Sequence, residues 1–152
     1  MKILILALLS TMLLFTSCGD DVDYGFKDQV ATGKIKGKTV TFKSGAIDGG
    51  ENMMVRLYNR VIEKCSLNDI MDPRSEYIRF HVPRKVGVYE DIDISLTAYE
   101  PEQEYEYQGQ TALGIVEITK INEETKEVEG KINIEISSDS YFNGKFSFTG
   151  CN

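Results

Sequence analysis

The run Thr111-Ala112-Leu113-Gly114-Ile115-Val116-Glu117-Ile118-Thr119-Lys120-Ile121-Asn122 and its return, Glu127-Val128-Glu129-Gly130-Lys131-Ile132-Asn133-Ile134-Glu135-Ile136-Ser137, decide the fold. On the return, Val128, Ile132, Ile134 and Ile136 alternate with charged and amide residues. Period-two alternation marks a strand with one buried and one wet face, because successive side chains of a strand point to opposite sides. On the outgoing run Leu113, Ile115 or Val116, Ile118 and Ile121 are the inward candidates. Asn122-Glu123-Glu124-Thr125-Lys126 lies between the two runs and reads as the turn of a hairpin.

The same signal continues on both sides of this hairpin. Tyr141 to Cys151 reads as the last strand, with Phe142, Phe146 and Phe148 on one parity and Asn143-Gly144 as a turn or bulge. Upstream, Ile92 to Thr97 and Glu76 to Pro83 alternate cleanly, and Met53 to Tyr58 suggests another strand. Ala31 to Lys36 and Thr39 to Lys43 form a second hairpin around Gly37-Lys38. Asp48 to Asn52 reads as a loop and Lys85 to Asp91 as a turn or edge. Asn59 to Asp72 fits a strand or a short helix, ended by Asp72-Pro73. No long helical period occurs. Roughly eight to ten strands in about 120 residues imply an all-β, single antiparallel sandwich or small barrel-like domain over residues 31–152.

Gly114-Ile115-Val116-Glu117-Ile118-Thr119, Val128-Glu129-Gly130-Lys131-Ile132 and Gly144-Lys145-Phe146 resemble the C-terminal half of small uncharacterised β-sandwich lipoproteins of Bacteroidetes. The resemblance implies a fold and an address. That group has no assigned activity, so it implies no site residues.

The N-terminus carries an address of its own. Lys2 precedes an apolar run, Ile3 to Phe15, that is too short to cross a bilayer and has the length of a signal-peptide core. Phe15-Thr16-Ser17-Cys18 resembles a relaxed lipobox, with Phe15 where Leu is usual. The resemblance implies a signal peptide over residues 1–17, cleavage before Cys18 and lipidation of that residue. Several long acyl chains hold a protein to a membrane far more firmly than one does. Gly19-Asp20-Asp21-Val22-Asp23 resembles the acidic export signal of surface lipoproteins in Bacteroidetes. The expected location is the outer membrane, with the protein facing the cell exterior. Residues 18–30 read as a lipidated acidic tether, with Tyr24 and Phe26 placed to dock on the body.

Charge narrows the partners. The chain has 17 Lys and Arg against 24 Asp and Glu, a net charge of −7. Without Lys2, lost with the signal peptide, 16 basic residues face 24 acidic ones, near −8. Phosphate binding needs Lys and Arg, so nucleic acid is an unsuitable partner, and an electrostatic grip on anionic lipid is equally unsuitable. The expected partners are the membrane, through lipid on Cys18, and a glycan, peptide or protein.

Candidate chemistry is sparse. His81, the single histidine, falls on the polar parity of a strand. Glu90, Asp91 and Asp93 are read as solvated acids, since calcium takes six to eight oxygens and no EF-hand spacing is present. With no Cys/His cluster, no metal or cofactor is implied. The one unusual stretch is Tyr99 to Gln108. If extended, it sets Gln103, Tyr105 and Tyr107 on one face and Glu102, Glu104 and Glu106 on the other. Tyr99, Gln103, Tyr105 and Tyr107 together suit a sugar, whose apolar face stacks on aromatic rings and whose hydroxyls need acceptors. The same rings could instead pack on the core. Pro101 places the stretch at a sheet edge or in a loop. The expected function is a non-enzymatic binding module. The alternatives are a lipocalin-like carrier of a small apolar ligand and an immunity or inhibitor lipoprotein.

Of the three cysteines, lipid on Cys18 leaves Cys65 and Cys151 as an even pair in an oxidising compartment, where a disulfide is the natural state. Closing so long a loop is worth roughly 4–5 kcal/mol in the chain-entropy picture. The competing reading is two buried free thiols. Denatured, unreduced mature protein is therefore expected to take up no alkylating reagent, and labelling of both thiols would exclude the bridge.

Overall fold

Burial alternates residue by residue along the strands, and this turns the chain into one sheet with one wet face. In a computed structural model, which describes residues 22–62, 76–98 and 108–150, nine strands follow one another. They are β1 (Thr32–Ile35), β2 (Lys38–Thr41), β3 (Ser44–Asp48), β4 (Asn52–Tyr58), β5 (Tyr77–Pro83), β6 (Gly87–Ala98), β7 (Gln108–Asn122), β8 (Glu127–Ser137) and β9 (Ser140–Thr149). The described residues contain no helix. Every pairing between strands is antiparallel, in the order β2-β1-β9-β8-β7-β6-β5-β4-β3. The all-β antiparallel architecture expected from the sequence is thus present as a single curled, half-barrel sheet.

The curl has a covalent cause. The two edge strands, β2 and β3, are neighbours in sequence, joined only by Phe42 and Lys43. Two residues span roughly 10 Å at most, so the far edges of the sheet must come round to meet. The Phe42 N–H donates to the Ala31 carbonyl (2.9 Å), continuing the ladder with β1, and the Lys43 N–H donates to the Tyr58 carbonyl (2.8 Å), starting the ladder with β4. One bent strand therefore serves both edges. Lys38 of β2 also pairs with the buried Glu76 carboxylate just before β5, which accepts from the Asn59 amide as well.

The concave face is filled. Phe80, Ile94, Leu96, Val116 and Ile132 have no exposed surface. Phe42 lies against Phe146 and Phe148, at centroid separations of 6.4 and 6.3 Å. Gly45 of β3 is required there, because a Cβ on it would fall 2.5 Å from the Phe148 ring.

Several local expectations need correction. The first turn is Lys36-Gly37, one residue earlier than expected, since Ile35 pairs with Lys38 and both turn residues have positive φ (50° and 79°). Strand β3 was not foreseen, because Ser44-Gly45-Ala46 has no β-branched or aromatic residue; small side chains sit there to admit Phe148 inside and Tyr58 outside. Of Lys85 to Asp91, expected as a turn or edge, Lys85 and Val86 lie in the turn, but Gly87 onward begins the central strand β6, where a bulge between Tyr89 and Ile92, with Asp91 at φ 53°, breaks the alternation. In β7, Val116 and Ile118 face inward, whereas Leu113 is 58% exposed. A bulge between Ile118 and Lys120 then returns Ile121 to the core. Strand β9 runs on through Asn143-Gly144, paired with Asn133 and Ile132, so no turn interrupts it.

Removing the corner aromatic tests this account. Phe42→Ala is expected to destabilise by about 3–5 kcal/mol, as large buried truncations do, read from the urea midpoint. His81→Ala, on the exposed face opposite Met54, is expected to stay within about 0.5 kcal/mol. Equal midpoints for the two variants would show that the corner does not hold the edges together.

Candidate functional site

The outer face of β6 to β9 carries the densest set of polar contacts among the described residues, and it is crossed by the N-terminal segment. Asn133 of β8 and Asn143 of β9 are register partners. Their neighbours on each strand point inward, so both amides project onto the convex side. Asn143 Nδ2 donates to Asn133 Oδ1 (2.8 Å) and to the Gly25 carbonyl (3.0 Å), and its Oδ1 accepts from the Lys27 N–H (2.9 Å). Asn133 Nδ2 donates to the Tyr24 carbonyl (3.0 Å). The amide pair thus replaces the strand partner that residues 24–27 lack. Asn143 is 7% exposed, so these bonds form away from competing water.

The segment is held at further points along its length. Gln29 to Ala31 bonds to Lys145 from both sides, with the Lys145 N–H donating to the Gln29 carbonyl (2.7 Å) and the Ala31 N–H to the Lys145 carbonyl (2.8 Å). Gly144 makes this crossing possible, since a Cβ there would lie 2.6 Å from the Gln29 oxygen. Asp28 pairs with the Lys145 ammonium, which holds its carboxyl below the ordinary range. The Phe26 ring lies under Lys131 (5.6 Å), whose ammonium also meets Glu117 (2.7 Å). The Tyr24 hydroxyl reaches Glu90 of β6 at 3.4 Å. Residues expected as a tether are therefore, from Tyr24 onward, a strap across the sheet, and the docking expected for Tyr24 and Phe26 is present.

Beside the strap lies an open depression of about 400 Å³ lined by Lys27, Asn133, Glu135, Tyr141 and Asn143. Its amides are used on the strap. Elsewhere, Lys120 between Glu127 and Glu129 (2.7 and 2.9 Å) has its pKa raised by those carboxylates. Burial pushes the Tyr58 hydroxyl up to about 12. These are ion pairs and packing rather than an arrangement for proton transfer. His81 stands on the exposed face, and Glu90, Asp91 and Asp93 are exposed along β6, which answers to their reading as solvated groups.

Cys18, Cys65, Tyr99, Gln103, Tyr105, Tyr107 and Cys151 lie outside the described residues. The flanks of the tyrosine stretch are described. Ala98 of β6 pairs with Gln108 of β7, and both strands have neighbours on either side. The stretch itself, with the edge-or-loop expectation drawn from Pro101, lies outside the described residues. Comparisons with protein-family models, curated proteins and solved structures give no match for this chain.

The asparagine clasp was missed by sequence reasoning; its one signal is amides at outward strand positions where Glu, Lys or Thr would serve. Asn143→Ala is expected to cost about 1–3 kcal/mol, because it removes three hydrogen bonds made by a buried amide, to Asn133, Gly25 and Lys27. Hydrogen exchange at Lys27 should accelerate while Phe148, inside the β8–β9 ladder, stays protected. Unchanged exchange at Lys27 would mean that the clasp does not hold the strap.

Proposed function

We propose that this protein is a lipid-anchored, non-enzymatic binding module of the outer membrane, facing the cell exterior and recognising a glycan, peptide or protein partner on its surface. The observation that carries the binding half is the filled concave face. Phe42, Phe80, Phe142, Phe146 and Phe148 occupy the space in which a small-ligand carrier would hold its cargo. This weighs against the lipocalin-like alternative and favours recognition outside the sheet. The anchoring half rests on the apolar run ending at Cys18 and on the acidic residues that follow it.

The β6–β7 connection, with Tyr99, Gln103, Tyr105 and Tyr107, is the stretch whose composition best fits a surface site. An immunity or inhibitor role would use the acidic surface against a basic protein, and no particular contact among the described residues favours it.

The experiment has two readouts. Cys18→Ala is expected to move the protein from the membrane to the soluble fraction and to leave no acyl mass on its N-terminus. Tyr105→Ala and Tyr107→Ala are expected to abolish binding in a glycan and surface-protein screen while leaving the melting temperature nearly unchanged, as platform residues do. Retention of unlipidated Cys18→Ala in the membrane would refute the anchor, and a large drop in melting temperature would assign the two rings to the core.

A further inference from the structure

We propose that the strap fixes how the body stands on a phospholipid bilayer: the β5–β6 tip, with Lys85, Val86 and Val88, rests on the membrane, and the end bearing Ala98 and Gln108 points away. This rests on the lipid-anchoring reading above and adds a direction to it.

Chain length limits which end of the body an anchor on Cys18 can reach. Tyr24 and Gly25 are fixed on β8 and β9 by the asparagine clasp, and Val22 lines a depression together with Val88 and Glu117. Four residue steps separate Val22 from Cys18, a reach of roughly 14 Å at most. Ala98 lies ten residues along β6 from Val88, roughly 30 Å away at the rise of a strand. An acyl chain on Cys18 can thus bring the Val88 end of β6 to the membrane but not the Ala98 end.

The chemistry of the near end agrees. Val22 and Val86 are 61% and 55% exposed, and Val88 is exposed beside them on β6. Lys85 adjoins them, a side chain that can lay its apolar stem on the interface and keep its ammonium among headgroup phosphates. The tip is preformed, with the Tyr89 hydroxyl donating to the Lys85 carbonyl (2.7 Å) and the Arg84 N–H to the Glu51 carbonyl (2.8 Å). Further along the outer face of β6, exposed Glu90, Asp91 and Asp93 would have to be desolvated if the body lay flat. Contact is therefore limited to the tip. The net acidic charge leaves apolar contact at a short leash as the orienting force.

The chain contains no tryptophan, so a single introduced indole reports its own surroundings. Full-length lipidated protein carrying Val86→Trp, or Ser138→Trp in the β8–β9 turn at the far end, would be reconstituted into phosphatidylcholine vesicles with brominated acyl chains. Val86→Trp fluorescence is expected to fall by about twofold or more, since an interfacial side chain sits within reach of the bromines, and Ser138→Trp fluorescence should be unchanged. Inserting about 20 Gly and Ser residues between Asp21 and Val22 should abolish the difference, because a flexible chain of that length lets either end approach. This insertion leaves every described contact of the body in place. Protein that carries acyl mass and floats with the vesicles, yet shows equal quenching at the two positions, would overturn the orientation and leave the anchor standing. Quenching at Val86→Trp that survives the insertion would also overturn it, because the strap would then not be the cause. Protein without acyl mass that fails to float would overturn the anchor and the orientation together.

Discussion

The link Phe42-Lys43 is the constraint from which the rest of the architecture follows. A flat nine-stranded sheet would place β2 and β3 about eight strand spacings apart, nearly 40 Å at the usual inter-strand distance. Two residues cannot cover that span, so the sheet must curl, and curling gives it an inside. Because the inside is narrow, the positions nearest the corner separate into large rings and bare backbone: Phe42, Phe146 and Phe148 on one side, Gly45 on the other. Changing partner within one bent strand also satisfies the two donors at the corner itself, Phe42 on the β1 side and Lys43 on the β4 side.

The outer face obeys a second rule. Having used its concave side for packing, the sheet offers only its convex side to the N-terminal segment, and that side is polar. A peptide without a free strand edge to join must have its backbone groups satisfied by side chains. Asn133 and Asn143 do this because an amide carries both donors and an acceptor, and because register pairing sets the two side by side. Glu or Lys at either position could satisfy only one polarity. Gly144 is the steric counterpart of the clasp, since the strap crosses β9 where a side chain would otherwise stand.

What the sequence disclosed, and what it hid, divides along the same lines. Strands whose two faces differ in polarity, such as β5 and β8, were legible because alternation is a local property. Strand β3 was hidden because its residues are chosen for smallness by partners far away in sequence, Phe148 and Tyr58. The start of β6 was hidden because a bulge at Asp91 changes parity midway, so inward and outward residues exchange places in the pattern. The ambiguity between Ile115 and Val116 had the same origin in the bulge after Ile118. Closure of the sheet through Phe42-Lys43 is a property of strand order, which no local pattern encodes. The strap was half legible: Tyr24 and Phe26 stood out as aromatics in a polar segment, while their holders, Asn133 and Asn143, looked like ordinary surface residues.

Filling the inside and strapping the outside together commit much of the sheet to the protein's own packing. The concave face is occupied by its own side chains, and the convex face of β8 and β9 is partly covered by residues 24–31. The turns of the β5–β6 end are short and backbone-bonded. At the opposite end, β4 stops at Tyr58 and β5 resumes at Tyr77, and β6 stops at Ala98 and β7 resumes at Gln108, so the two longest connections leave and return there. Long connections on a rigid sheet are where sequence can vary without cost to the core. The fold thus separates the short, bonded turns of one end, next to the strap's N-terminal end at Val22, from the end at which the chain leaves the sheet after Tyr58 and after Ala98.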